Sequence, residues 1–233
     1  MVKSKLQQKR SQLTRRALID AAEELWRDDS FDTVPVEEIC RAANVAKGTF
    51  YFYFPRKENL LVMLVFSRFM PSQTELQPLL DSDASTLNIL FSLTSGIASR
   101  VRKLPRPMVL RAVEESFQLY KDVAELDGRS LYLRPYFQQV FERGRKRGEL
   151  HSDWDIDIVT GMVGWGILQE LFLWGGGQTP TARLESNLLQ RVELVASGAN
   201  AARKTSRDNA PRKGTSKNAS ARSPQPAALA TRN

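Results

Sequence analysis

The chain has 233 residues, 42% hydrophobic and 26% charged, with a formal net charge of +8; this excludes an apolar-poor disordered polymer and leaves room for one large domain or two smaller ones. Cys40 is the single cysteine, so no intrachain disulfide can form and nothing demands an oxidising compartment. The basic start is followed by no apolar signal core, and Asp157 and Glu170 break the most apolar stretch short of the roughly 18–20 residues of a membrane span, so a cytoplasmic protein without a transmembrane helix is expected.

The charge is unevenly placed. Residues 1–60 carry 11 basic and 9 acidic side chains, 61–198 carry 15 and 16, and 199–233 carry 8 and 1. Most of the excess belongs to the C-terminal tail, so global basicity says little about the folded part. At the other end Lys3, Lys5, Lys9, Arg10, Arg15 and Arg16 precede any acidic residue. Residues 1–12 read as a basic flexible arm, which matches a phosphate backbone and equally suits a solubilising terminus.

A first helix is expected over 13–26, where Leu18, Ala21, Ala22 and Leu25 share one face. Pro35 suits the first position of a second, whose stripe is Val36, Ile39, Cys40 and Ala43, with Glu37 and Glu38 favourable in its first turn. Asn44 tolerates the left-handed conformation of a tight turn, after which Val45 can plug the core. A third helix over 46–53 follows. Pro55 stops it, and a fourth spans 57–69, ended by Pro71.

Helix, short turn and helix within 36–53 is the layout of a DNA-reading helix-turn-helix. The layout alone is weak, but the third helix crowds Lys47, Thr49, Tyr51, Phe52 and Tyr53 together, cation, hydroxyls and aromatics of the kind that meet phosphates and thymine methyls. Gly48 lets the backbone approach phosphate. Phe50 and Phe54, four apart, are expected in the core against Val45, Ile39 and Leu18.

The run Ile39-Cys40-Arg41-Ala42-Ala43-Asn44-Val45-Ala46-Lys47-Gly48-Thr49-Phe50-Tyr51-Phe52-Tyr53-Phe54-Pro55-Arg56-Lys57-Glu58-Asn59-Leu60, with Ala21 to Trp26 and Phe31-Asp32 upstream, resembles the N-terminal signature of the tetracycline-repressor (TetR) family over residues 13–62. It departs from that pattern at Ser30, at Asn44 in place of the turn glycine, at Ala46 where a serine often caps the third helix, and at Arg56 where a small polar residue is common. The resemblance implies that Lys47, Thr49, Tyr51 and Tyr53 contact the operator backbone, that Phe52 sits near base edges, and that Lys57 meets phosphate from the start of the fourth helix.

Beyond Pro71 the pattern stays helical, about 85–103, 108–121, 129–147, 155–174 and 182–197, so the fold class expected is all-α: a three-helix helix-turn-helix domain at 13–60 and a helical effector-binding and dimerisation domain at 61–198. Phe66, Met70, Met108 and Phe117, with Tyr120, Tyr136, Phe137 and Trp165, are the candidates for a ligand pocket, on the analogy of proteins similar to this one; the same residues read as an ordinary core. A small, largely apolar effector is expected. Gly161, Gly164 and Gly166 in an apolar helix suggest a close helix approach, so a subunit interface is expected from Val159, Met162, Val163, Gly166, Ile167, Glu170 and Trp174, joined by Leu188, Val192 and Val195 of the last helix. In the family these two helices pair with their twofold mates, which implies a homodimer on palindromic operator DNA. Residues 199–233 hold almost no large apolar group and are expected to be disordered.

Neither a cofactor nor a metal site is expected. His151 stands alone, without a second His or Cys for a ligand set or nucleophile, and Gly175-Gly176-Gly177 follows a helix and reads as its stop, so an enzyme is the weaker reading. A coating protein driven by the arm and tail is the other alternative, separable by its lack of sequence preference.

Overall fold

A computed structural model describes residues 2–28, 30–124, 133–151 and 154–208; side chains are described for these residues except 2–8, 28, 119–124 and 199–208. The elements are α1 (Val2–Asp28), α2 (Val36–Ala42), α3 (Lys47–Tyr53), α4 (Lys57–Phe69), α5 (Gln73–Asp81), α6 (Thr86–Val101), α7 (Arg106–Ala124), α8 (Arg134–Lys146), α9 (Ile156–Gly175), a short 3₁₀ turn (Thr181–Arg183) and α10 (Leu184–Asp208). Among the described residues there is no strand, and the all-α expectation holds.

The N-terminal helices form as their patterns require. Leu18, Ala22 and Trp26 of α1 are buried, as are Ile39 and Cys40 of α2. Pro35 is the N-cap of α2 rather than its first residue, a shift of one position. Asn44 takes the left-handed conformation, φ 53°, and lets the Val45 amide donate back to the Cys40 carbonyl at 2.9 Å, closing α2 and aiming the chain into α3. Ala46 makes no side-chain cap, so α3 is held by packing: Phe50 and Phe54 are buried with ring centroids 5.8 Å apart.

α4 joins the two halves. Leu60, Leu61, Leu64 and Val65 are all buried, because α4 packs against α1 on one side and α6 and α7 on the other. α5 is absent from the sequence expectation, since Pro78 lies inside it and Leu76 is its one buried residue. Its start was readable: Ser72 and Glu75 form a capping box, with the Ser72 amide donating to Glu75 at 2.6 Å.

Side chains tie the body together at helix ends. Asp155 caps α9 by accepting from the Asp157 amide at 2.7 Å. At its other end Arg106 lies over the Trp174 ring and donates to the Trp174 and Thr179 carbonyls at 2.9 and 2.8 Å. The Thr86 amide at the start of α6 donates to Glu149 at 2.5 Å. Gly144 of α8 lies against Thr86, where a Cβ would come within 2.2 Å of the hydroxyl oxygen, so α6 and α8 approach too closely there for a side chain.

Two boundaries differ from expectation. α1 is helical from Val2, so residues 2–12 of the expected arm are part of α1. α10 runs on to Asp208 through the first ten residues of the tail; 209–233 lie outside the described residues. α9 is long and apolar enough to cross a membrane by length and composition alone, but one side of it is buried in the protein, against α7, α8 and α10.

Candidate nucleic-acid interface

The turn at Asn44 and the stop at Pro55 leave α3 with one face in the core and the other free. Phe50 fills the inner side, and residues 51 and 52 are rotated away from it. Phe52 is 78% exposed and Tyr51 44%, so both rings stand largely in solvent. Lys47, Gly48 and Tyr51 are exposed, Thr49 and Tyr53 are half-buried, and Phe52 and Tyr53 meet edge to face at 5.1 Å. An ideal Cβ on Gly48 meets nothing within 4 Å, so nothing inside the protein requires glycine at that point.

Lys47 is paired with Glu37 of α2, and its ammonium stands 6.0 Å from the Tyr51 ring centre. The hydrogen bond to Lys47 holds the Glu37 carboxyl below the usual carboxylate range and, reciprocally, raises the Lys47 ammonium. Both are exposed, so a phosphate can compete for Lys47. Sequence reading missed Glu37 as a partner, because the pair is ten residues apart and meets only once the α2–α3 turn is closed.

Lys57 is placed differently from the rest. Its ammonium donates to the Phe31 and Val34 carbonyls at 2.6 and 2.9 Å and lies 4.4 Å from the Phe31 ring centre. It closes the α1–α2 loop rather than standing on the exposed face of α3. Of the expected DNA residues, then, Lys47, Gly48, Thr49, Tyr51, Phe52 and Tyr53 come together on or beside that face, and Lys57 does not.

The expected ligand residues divide among three places. Phe66, Met70 and Tyr136 line a cleft of about 330 Å³ between α4 and α8, with Ser67, Gln73 and Gln139 also on its wall. Phe137 is buried in the core and Met108 packs against it. Phe117 and Trp165 lie elsewhere, stacked with centroids 5.3 Å apart on the outer side of α9. Tyr120 lies on α7, and its side chain is outside those described.

The expected interface residues need correction. Val159, Val163, Ile167, Glu170 and Trp174, together with Leu188 and Val192, are buried within the protomer and face no outside surface. Glu170 accepts from Asn187 at 2.9 Å and from Arg191 at 3.0 and 3.1 Å, clasping α9 to α10. Gly166 is half-buried, with the Arg191 side chain over it, and Val195 and Met162 border the outer face. That face consists of Ile158, Met162, Trp165, Gln169 and Phe172, spaced four, three, four and three apart, beside an open groove of about 890 Å³.

The family model described as bacterial regulatory proteins, tetR family, matches residues 18–64. The uncharacterized HTH-type transcriptional regulator YdeS of Bacillus subtilis is 25% identical over 177 residues, 75% of this chain and 86% of that one. The HTH-type transcriptional regulator EthR of Mycobacterium tuberculosis is 33% identical over 70 residues, 30% of this chain and 32% of its own. Among solved structures, Thermus thermophilus FadR, a TetR-family transcriptional repressor in complex with lauroyl-CoA, matches with a TM-score of 0.66 at 20% identity, over 88% of this chain and 100% of that one. Bacillus subtilis FadR in complex with stearoyl-CoA gives 0.54 at 23% identity, over 78% and 98%. The structural likenesses establish a shared fold. The family match falls on the helices that build and support the exposed face of α3, so residues 18–64 are a helix-turn-helix domain of the kind found in bacterial regulatory proteins of the tetR family, DNA-binding transcriptional regulators.

Proposed function

We propose that this regulator is a repressor that binds a palindromic operator as a homodimer and leaves it when a small, largely apolar effector occupies the body. The observation that carries the DNA reading is the exposed face of α3, where Lys47, Tyr51 and Phe52 stand outward while Phe50 and Phe54 of the same stretch are buried. Lys47, Thr49, Tyr51 and Tyr53 bind phosphates, Phe52 reaches base edges, and Gly48 permits close backbone approach. The cationic start of α1, with Lys9, Arg10 and Arg16 exposed, adds sequence-independent affinity.

The outer face of α9 supports the dimer. An apolar stripe of Ile158, Met162, Trp165 and Phe172 is costly in water and is covered when a second copy packs on it about a twofold axis. The α4–α8 cleft supports the effector site, since Met63, Phe66 and Met70 on its α4 wall are apolar and Ser67, Gln73 and Gln139 offer few polar contacts. The FadR proteins of the same fold were solved with acyl-CoA molecules. A ligand there acts on α4, whose first residue follows closely on the end of α3, and an unequal affinity for the two α4 positions shifts the population away from the operator-binding state.

Selection of bound fragments from the source genome, followed by footprinting, tests the proposal. The expected result is a protected sequence with dyad symmetry, half-sites about one helical turn apart, bound ~10³-fold or more tightly than random duplex. A ratio near unity would make it a coating protein instead.

A further inference from the structure

Arg56 belongs to the DNA-binding domain by its backbone and to the body by its side chain. Only Phe54, which is buried, and Pro55, whose ring fixes φ, separate it from the end of α3, and its amide donates to Asn59 Oδ1 at 2.8 Å. Its Nη2 crosses to α7 and donates to Glu115 Oε2 at 2.7 Å, with Glu58 farther off at 3.8 Å. Glu115 is only 8% exposed, and its other oxygen forms an ion pair with Arg111 Nη2 at 3.1 Å. A guanidinium donating to a carboxylate this far from water is directional, unlike the exposed pairs elsewhere on the chain.

α7 packs against α4 and against α9. Two residues beyond Glu115, its Phe117 lies flat on Trp165 of the outer α9 face, the planes 6° apart. One helix therefore joins the corner after the recognition helix to the face where a second copy would sit.

We infer that Glu115 is a positioning residue for DNA recognition: by holding Arg56 it fixes the angle of the helix-turn-helix on the body, and so the spacing of the two recognition helices in a dimer. This rests on the DNA-binding dimer proposed above. The angle matters for an operator with fixed half-site spacing, and far less for random duplex, where each domain docks on phosphates independently. Glu115 itself is buried beside α4, away from the exposed face of α3.

The test uses the full-length protein, the selected operator fragment and a random duplex of equal length, with Glu115→Gln, Arg56→Gln and the double variant. Each single variant is expected to lose on the order of tenfold in operator affinity while random-duplex affinity stays within about twofold, and the double variant to be no worse than the weaker single one. Arg56→Gln keeps the test open if Glu115→Gln fails to fold, since Arg56 is exposed and Glu115 retains Arg111. Equal losses on both duplexes, or losses that multiply in the double variant, overturn the inference. A wild-type preference for operator that both single variants retain overturns it alone, whereas a wild type with no preference overturns the DNA reading and this inference with it.

Discussion

The exposed face of α3 and the outer face of α9 both show large apolar groups to solvent, Phe52 and Tyr51 on one, Met162 and Trp165 on the other. Each also carries a glycine, Gly48 and Gly161, whose missing side chain meets nothing in the protomer. What separates them is the company these groups keep. On α3 the aromatics stand with a lysine and with the hydroxyls of Thr49, Tyr51 and Tyr53. On α9 they stand with one another, and the polar lining of that groove is Asp157 and Gln169. On the function proposed above, the polar groups around each exposed apolar area suit a different partner: a phosphate polymer for α3, a second apolar face for α9.

The largest expected effect breaks the comparison at α9. Trp165→Glu should weaken self-association by 100-fold or more, because a charge would be buried at the centre of the apolar stripe. The protomer should still fold, since Trp165 is about half exposed in it and loses chiefly its stack on Phe117. Sedimentation equilibrium at micromolar concentration reads it, and an unaltered dimer would remove α9 from the interface. On the α3 side, Lys47→Ala should cost about tenfold in operator affinity at low salt and reduce the slope of log affinity against log salt by about one unit. An unchanged slope would mean that Lys47 stays with Glu37 in the complex.

The two glycines sharpen the contrast, since the same substitution should act in opposite places. Gly48→Ala and Gly161→Ala each lie in a helix with open space at the Cβ, so each should stabilise the protomer by a few tenths to ~1 kcal/mol in chemical denaturation. Gly48→Ala should weaken operator binding a few-fold with the dimer unaffected, and Gly161→Ala should do the reverse. If both only stabilise, neither glycine is kept for a partner.

What was legible in the sequence was local. Asn44, Pro55 and the four-residue spacing of Phe50 and Phe54 specify the helix-turn-helix by turn chemistry and short-range pattern, and the structure places each as expected. α9 was not legible, because its apolar residues surround it: periodicity cannot say that Val163 and Ile167 turn inward while Met162 and Trp165 turn outward, which depends on where α7, α8 and α10 pack. The ammonium of Lys57 turns onto the Phe31 and Val34 carbonyls, across 26 and 23 residues, and Arg56 reaches Glu115 across 59. Contacts at that separation leave no trace in a single sequence. α5 was hidden for the opposite reason, a proline within a mostly polar helix that buries only Leu76.

The smallest expected effect is electrostatic and again distinguishes the two faces. Glu37 has its carboxyl held below the ordinary range by its hydrogen bond to Lys47. A group depressed in the folded state favours folding above its unfolded value, about 4.3 for a glutamate, and that contribution is lost as pH falls through the lower, folded value. The Lys47–Glu37 pair should therefore remain intact from pH 8 down to about pH 5, and Lys47 should be released only in more acidic solution. In an NMR titration the Glu37 carboxyl should move below the reference glutamate, and Lys47→Ala should return it there. Once Glu37 is protonated a negative charge has left the α3 side, so the affinity for duplex should rise modestly relative to Glu37→Gln, which has no charge to lose. A Glu37 resonance that titrates at the ordinary value would mean that the pair does not persist in solution, and Lys47 would then be free for phosphate at every pH.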